Sequence, residues 1–139
     1  MKLNTEFLLS TKKNTKGFSL IELMVVVVII GIIVSIALPS YIQYVTRTNR
    51  TAAEAQMLAI ADREEQFLLS NRAYADQTAI QNNGYRLPPE VSSKYTYDVS
   101  VGTNTVPSYL ITFTPYATQA TDGILTLDST GIKMPVGKW

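Results

Sequence analysis

Three hydrophobic patterns follow one another along the chain. Residues 18–38 make an almost unbroken apolar run of 21 residues with a single charge, Glu22. Rising 1.5 Å per residue as a helix, a run of that length spans roughly 31 Å, the hydrocarbon thickness of a bilayer. Beyond Pro39 the pattern turns amphipathic. Tyr41-Ile42-Gln43-Tyr44-Val45 offers two tyrosines suited to a membrane–water interface. Residues 51–70 contain neither Gly nor Pro, and Ala53, Met57, Ile60, Ala61, Phe67 and Leu68 recur at three- and four-residue spacing, which draws one apolar face on a helix. Arg50, Glu54, Asp62 and Arg63 fall mostly outside that face. These patterns predict one helix over residues 18–70, bent near Pro39 and roughly 80 Å long. Its first half has to be buried in lipid or in other protein chains.

From Tyr95 the period shortens to two. Residues 95–101 alternate with aromatic and β-branched content, 109–114 form a second run, 123–128 a third, and Gly131-Ile132-Lys133 starts a short fourth. Gly102-Thr103-Asn104, Asp122-Gly123 and Ser129-Thr130-Gly131 supply the turns. Short links between consecutive strands predict an antiparallel meander of three to four strands, packed by its inner face on the apolar face of the helix. The fold class is therefore α+β. Tyr95, Tyr97 and Tyr109 fit ordinary cross-strand aromatic pairing. Between helix and sheet, residues 75–94 contain Gly84 and Pro88-Pro89; a connection this long in a compact domain reads as a packed functional loop.

Charge adds an asymmetry that the net value of +1 conceals. Lys2, Lys12, Lys13 and Lys16 precede Gly17 against Glu6 alone, whereas eight Lys/Arg and ten Asp/Glu follow it, a net −2. Lysines just before an apolar span place the N-terminus in the cytoplasm and the C-terminal part outside. No broad basic surface is evident, so nucleic acid is a possible partner but not an indicated one; Arg86, Lys94, Lys133 and Lys138 would have to cluster in space. The chain has no Cys and no His. That excludes disulfides, thiol nucleophiles, Cys/His metal sites and imidazole bases, and predicts neither an enzyme nor a cofactor. Asp122 and Asp128 lack the dense oxygen-ligand loop that calcium needs, and Asp122-Gly123 reads as turn chemistry, so no metal is expected.

Two cleavage readings compete. Ser35-Ile36-Ala37 resembles a signal peptidase site, which would discard everything before Leu38. That leaves Glu22 unexplained, because a carboxylate at the start of an apolar core costs insertion energy and a plain signal peptide has no use for it. The other reading rests on Gly17-Phe18-Ser19-Leu20-Ile21-Glu22-Leu23-Met24 ahead of a Val/Ile run. This segment, over residues 16–44, resembles the N-terminus of type IV pilins and pseudopilins.

The resemblance implies cleavage between Gly17 and Phe18 by a membrane prepilin peptidase, N-methylation of Phe18, and retention of the apolar helix. It also implies that Glu22 serves assembly by pairing with the Phe18 amine of a neighbouring subunit; pairing with its own N-terminus is the alternative. Gly31 and Pro39 weaken the helix. They either accommodate the membrane and its exit or loosen the helix when a subunit enters a filament. Arg63-Glu64-Glu65-Gln66-Phe67 with Asn71-Arg72-Ala73-Tyr74, and the strands down to Lys138-Trp139, are similar to PilE-type minor pilins. Those carry a Cys pair closing the last segment, which is absent here. The tail must then be held by packing, with Trp139 and Met134 as candidates. Arg63, Glu65 and Arg72 otherwise read as a solvated helix face and an end-of-helix turn.

The expected organisation is a leader at 1–17, a membrane and filament-core helix at 18–39, an amphipathic helix at 40–70, an αβ-loop at 71–94, and the sheet with its tail at 95–139. The expected role is a structural subunit of a type IV pilus, a minor pilin, serving pilus biogenesis, twitching motility, adhesion or DNA uptake. A DNA-binding competence pilin and a type II secretion pseudopilin are the alternatives. Expected partners are other pilin subunits, the prepilin peptidase and the inner-membrane assembly machinery. The expected locations are the bacterial inner membrane as a single-pass protein, then the extracellular pilus.

Overall fold

The structure, a computed structural model, describes residues 17–139. The basic segment expected to form most of the leader therefore lies outside the described residues. The chain divides into two compact units, Met1–Pro39 and Ser40–Trp139, and the division falls at the proline inside the long helix.

In the first unit the described chain is the opening of α1 (Leu20–Asn71), a single helix of 52 residues that continues into the second unit. It starts one residue after Ser19 and runs on through Gly31 and Pro39. The apolar side chains here are all exposed, from Phe18 at 88% to Leu38 at 54%. The stretch is long and apolar enough to cross a membrane, and none of it is buried within the chain.

The second unit is built on the rest of α1. A four-stranded antiparallel sheet, in the order β1-β2-β3-β4, follows β1 (Tyr95–Val101), β2 (Tyr109–Pro115), β3 (Leu125–Asp128) and β4 (Lys133–Met134). The register sets Tyr97 against Phe113 and Phe113 against Leu125, and Val99 against Ile111 and Ile111 against Leu127. One face thereby collects Tyr95, Val99, Ile111, Phe113, Leu125 and Leu127, all buried against Ala53, Met57 and Ile60 of α1. The other face is Thr96, Asp98, Ser100 and Thr114 toward solvent, as the period of two requires.

Two features depart from the sequence expectation. The connection at 71–94 is not a plain loop: α2 (Gln77–Asn82) and α3 (Pro89–Ser92) occupy much of it. Asp76 caps α2 by accepting the Ala79 N–H at 2.8 Å, and Pro89 sits in the first turn of α3, where its missing N–H costs nothing. A 3₁₀ turn (Ala117–Asp122) also separates β2 from β3, so the third strand starts at Leu125 instead of residue 123. The remaining boundaries fall within two residues of expectation.

Candidate functional site

At the N-terminal end of α1 the geometry is local. Gly17 and Phe18 precede the helix and are exposed. Glu22 lies in the first turn, and its Oε2 accepts the backbone N–H of Ser19 at 2.9 Å. Ser19 and Glu22 are three residues apart, the spacing of a capping box, and the carboxylate supplies its reciprocal half. Neither alternative weighed for Glu22 from the sequence, pairing with its own terminus or with a neighbour's, foresaw this bond, although Ser-x-x-Glu before an apolar run is its signature. Gly31 has open space where a Cβ would sit, so no close packing among the described residues demands glycine there.

In the second unit the most connected polar group is Asp122, which the sequence presents as a turn residue. It is instead 2% exposed. Its Oδ2 accepts from Arg50 Nε at 2.9 Å, from the Tyr95 hydroxyl at 2.6 Å and from Gln119 Nε2 at 3.2 Å, and a second Arg50 nitrogen reaches Oδ1. Gln119, also buried, donates to the Thr46 carbonyl at 2.9 Å and accepts from Asn49 at 3.0 Å. The Lys138 ammonium bonds the Asp122 carbonyl and stands 4.0 Å from Oδ1. One carboxylate thus joins α1, β1, the 3₁₀ turn and the C-terminal tail. The 3₁₀ turn makes this possible, because it folds Gln119 and Asp122 inward from a segment that reads as a solvent-exposed link.

The tail has a second hold. Trp139 Nε1 donates to the Met134 carbonyl at 3.2 Å, its ring packs partly against the core, and Lys133 stands 4.8 Å over it. Trp139 and Met134 are therefore joined, and the Asp122–Lys138 contact, which sequence reasoning missed, adds to them.

The αβ segment is anchored by Glu64, fully buried on the apolar face of α1. Its Oε2 accepts the Ala75 N–H at 2.8 Å, while Oε1 has no hydrogen-bond partner among the described residues. Burial pushes this carboxyl up to about 7, against the lowering effect of the Ala75 bond and with Asp76 and Glu65 raising it further. Beside it Tyr74 packs edge-on to Tyr109 at 4.7 Å and bonds Glu65 at 3.3 Å. Arg63 stacks over Tyr85 at 5.3 Å, so it is held more closely than a solvated helix face implies. Arg72 takes a left-handed conformation with φ 57, the end-of-helix turn expected of it.

The four cations that DNA binding would need are mostly engaged within the chain. Arg86 bonds the Gln81 and Tyr85 carbonyls, Lys133 faces Trp139, and Lys138 holds Asp122. Among the described residues only Lys94 of the four has no such partner. No group of three or more acidic, His or Cys side chains suited to a metal occurs among the described residues.

Comparison with known proteins places these features. A model of the prokaryotic N-terminal methylation motif matches residues 12–38, and one described as type IV minor pilin ComP, DNA uptake sequence receptor, matches residues 39–126, more than half of the chain. The chain belongs to the type IV pilin family. The pilin is 35% identical over 87 residues to the type IV major pilin protein PilA of Myxococcus xanthus, covering 63% of the chain and 38% of that protein. It is 38% identical over 73 residues to a fimbrial protein of Pseudomonas aeruginosa, covering 52% and 47%. It is 31% identical over 99 residues to the type IV major pilin protein PilE1 of Neisseria gonorrhoeae, covering 69% and 58%. The matched part of this pilin thus spans less than two thirds of each of these relatives. No solved structure matches it closely. The long helix on an antiparallel sheet is the type IV pilin fold, and it was legible from the sequence.

Proposed function

We propose that this pilin is a structural, non-catalytic subunit of a type IV pilus, held in the inner membrane with its N-terminus in the cytoplasm until it is assembled. The observation that carries this reading is the wholly exposed apolar opening of α1 in a chain matched there by the methylation motif. Apolar surface on that scale is not stable in water. Lipid covers it first and neighbouring subunits afterwards.

In this reading the prepilin peptidase cuts between Gly17 and Phe18 and Phe18 is methylated. The new amine lies one helical turn from Glu22, in apolar surroundings where an unpaired charge is expensive. Glu22 then pairs with the amine of the subunit beside it and sets axial register, while Gly31 and Pro39 are the places where the helix yields. The inner-membrane assembly machinery supplies the transfer from lipid to filament.

The test is Glu22→Val in the native cell, scored for this subunit in sheared surface pili and for the mass of its mature N-terminus. Normal cleavage with poor incorporation is expected. Normal incorporation overturns the role of Glu22, and a mature N-terminus at Leu38 overturns the whole reading.

A second reading is favoured by the match over residues 39–126 to a family described as a DNA uptake sequence receptor. Here the assembled subunit also binds double-stranded DNA. DNA retention by the full chain in detergent, falling steeply with salt, supports it. Retention indifferent to salt counts against it.

A further inference from the structure

The C-terminal end of α1 borders a recess of about 140 Å³, lined by Arg63, Gln66, Phe67, Ser70 and Asn71 and, from the end of α2, by Asn83. Those from α1 recur at three- and four-residue spacing, which sets them on one face of the helix. The Arg63 guanidinium stands 5.3 Å over the ring of Tyr85. That ring is itself held, buried edge-on to Tyr97 and bonded through its hydroxyl to Gln56 at 3.2 Å. Yet Arg63 enters no hydrogen bond or ion pair among the described residues, whereas Arg50 is neutralised on Asp122 and Arg86 bonds two carbonyls. The side-chain amides of Gln66, Asn71 and Asn83 are likewise without a hydrogen bond among the described residues. Ser70 donates its hydroxyl proton to the Gln66 carbonyl, which leaves its oxygen free to accept. No carboxylate lines the recess.

We propose that this recess binds a sugar acid, one pyranose ring carrying a carboxylate, with Arg63 on the carboxylate and the amides on the hydroxyls. A guanidinium already steadied over an aromatic ring loses little freedom when it takes a carboxylate in its fork. Each amide offers both donors and an acceptor, and a sugar hydroxyl needs both, because it gives one hydrogen bond and accepts others. Phe67, half-buried against the core, supplies an apolar wall for the C–H face of the ring. A bare phosphate or carboxylate uses the cation and leaves the amides idle; a neutral sugar does the reverse. The recess is smaller than the roughly 300 Å³ at which pockets for drug-sized ligands begin, which leaves room for one ring. All of these residues belong to the second unit, so the site draws nothing from the membrane span or from a partner chain. A subunit so equipped grips an acidic glycan one ring at a time.

The experiment titrates the full processed chain, isotope-labelled in detergent micelles, with the methyl glycoside of galacturonic acid and follows the side-chain amide signals by NMR. Those of Gln66, Asn71 and Asn83 are expected to shift saturably at millimolar sugar acid. The uncharged methyl ester of the same glycoside should bind about tenfold more weakly, and so should inorganic phosphate. Arg63→Gln should weaken binding about tenfold and Asn71→Ala about threefold. The Asn71 side chain is exposed and bonds nothing among the described residues, so that variant keeps its fold and decides the matter if Arg63→Gln does not. Equal binding of acid and ester overturns the role of Arg63 and the proposal with it. Phosphate binding as tightly as the sugar acid overturns the sugar in favour of a plain anion site. Absence of a saturable shift, or an affinity that Asn71→Ala leaves unchanged, overturns the site itself.

Discussion

Arg50 and Asp122 stand 72 positions apart in the chain, and the guanidinium of the first grips both carboxylate oxygens of the second. The Asp122 side chain is fully buried and that of Arg50 is 17% exposed. Such a pair stabilises less than its Coulomb energy suggests, since both ions lose water, but breaking it strands a buried charge. Asp122→Ala is expected to destabilise the pilin by about 3 kcal/mol, as is Arg50→Ala. The double variant should lose clearly less than the sum, because removing both partners leaves no orphan. Thermal unfolding of the full chain in detergent micelles checks all three; strict additivity would refute the coupling.

Glu64 gives the domain a pH dependence of unusual sign. Its carboxyl is raised by burial from the ordinary 4.5 to about 7. The folded state therefore holds a proton that the unfolded state has lost, between those two values. The stability contributed by the protonated group is complete below pH 4.5, falls as pH rises toward 7 and is gone above it. Linkage puts the loss at up to about 3.4 kcal/mol. Glu64→Gln, permanently neutral, should flatten the curve between these limits and leave the protein more stable than the parent at pH 8. Melting temperatures of both proteins across that range decide it; parallel curves would mean that Glu64 is already ionised when folded.

Much of this fold could be read from periodicity, and the parts that could not share a cause. β1 is where alternation put it, residues 95–101, and α1 begins and ends within two residues of its predicted limits. Periodicity is a local signal, and these elements obey it. Asp122 does not, because an Asp-Gly dipeptide is the commonest of turn signals and its burial depends on Arg50, far away in sequence. The 3₁₀ turn from Ala117 to Asp122 is invisible for a related reason: its inward residues are Gln119 and Asp122, polar groups that look like solvent-facing ones until their partners are known. Glu64 was within reach. It follows Ala53, Met57 and Ile60 at three- and four-residue steps, so a charge on the apolar stripe was written in the spacing. At the N-terminus the methylation motif was plain, whereas the capping bond required attention to Ser19.

Arg72 and Ala117 both hold left-handed backbone, with φ of 57 and 52. A Cβ is unfavourable in that region and glycine pays no such penalty. Arg72 closes the C-terminus of α1 through its N–H to the Leu68 carbonyl at 2.9 Å, the position glycine favours in helix caps. Arg72→Gly and Ala117→Gly should each raise stability by about 0.5 kcal/mol, the relief being partly offset by greater freedom in the unfolded chain. A gain in melting temperature from glycine is uncommon enough to be diagnostic, and a loss would show that these conformations carry no strain.

Glu22 has two separable properties, an acceptor oxygen and a charge, and Glu22→Gln divides them. The acceptor serves the Ser19 N–H at 2.9 Å, a bond that glutamine makes equally well in a capping box. The charge is what the proposed pairing with a neighbour's Phe18 amine requires, and an amide cannot replace it in apolar surroundings. If pairing sets assembly, Glu22→Gln should be processed at Gly17, keep its helix, and fall out of the sheared pilus fraction about as severely as Glu22→Ala. If capping is the larger part, Gln should assemble like the parent while Ala fails. Immunoblots of the pilus and membrane fractions, normalised to total subunit, separate the two results. Circular dichroism of the purified chains in micelles checks that the helix survives in both variants. Assembly of the Gln variant at the parent's level would remove charge pairing at Glu22 from the mechanism and leave the residue a helix cap.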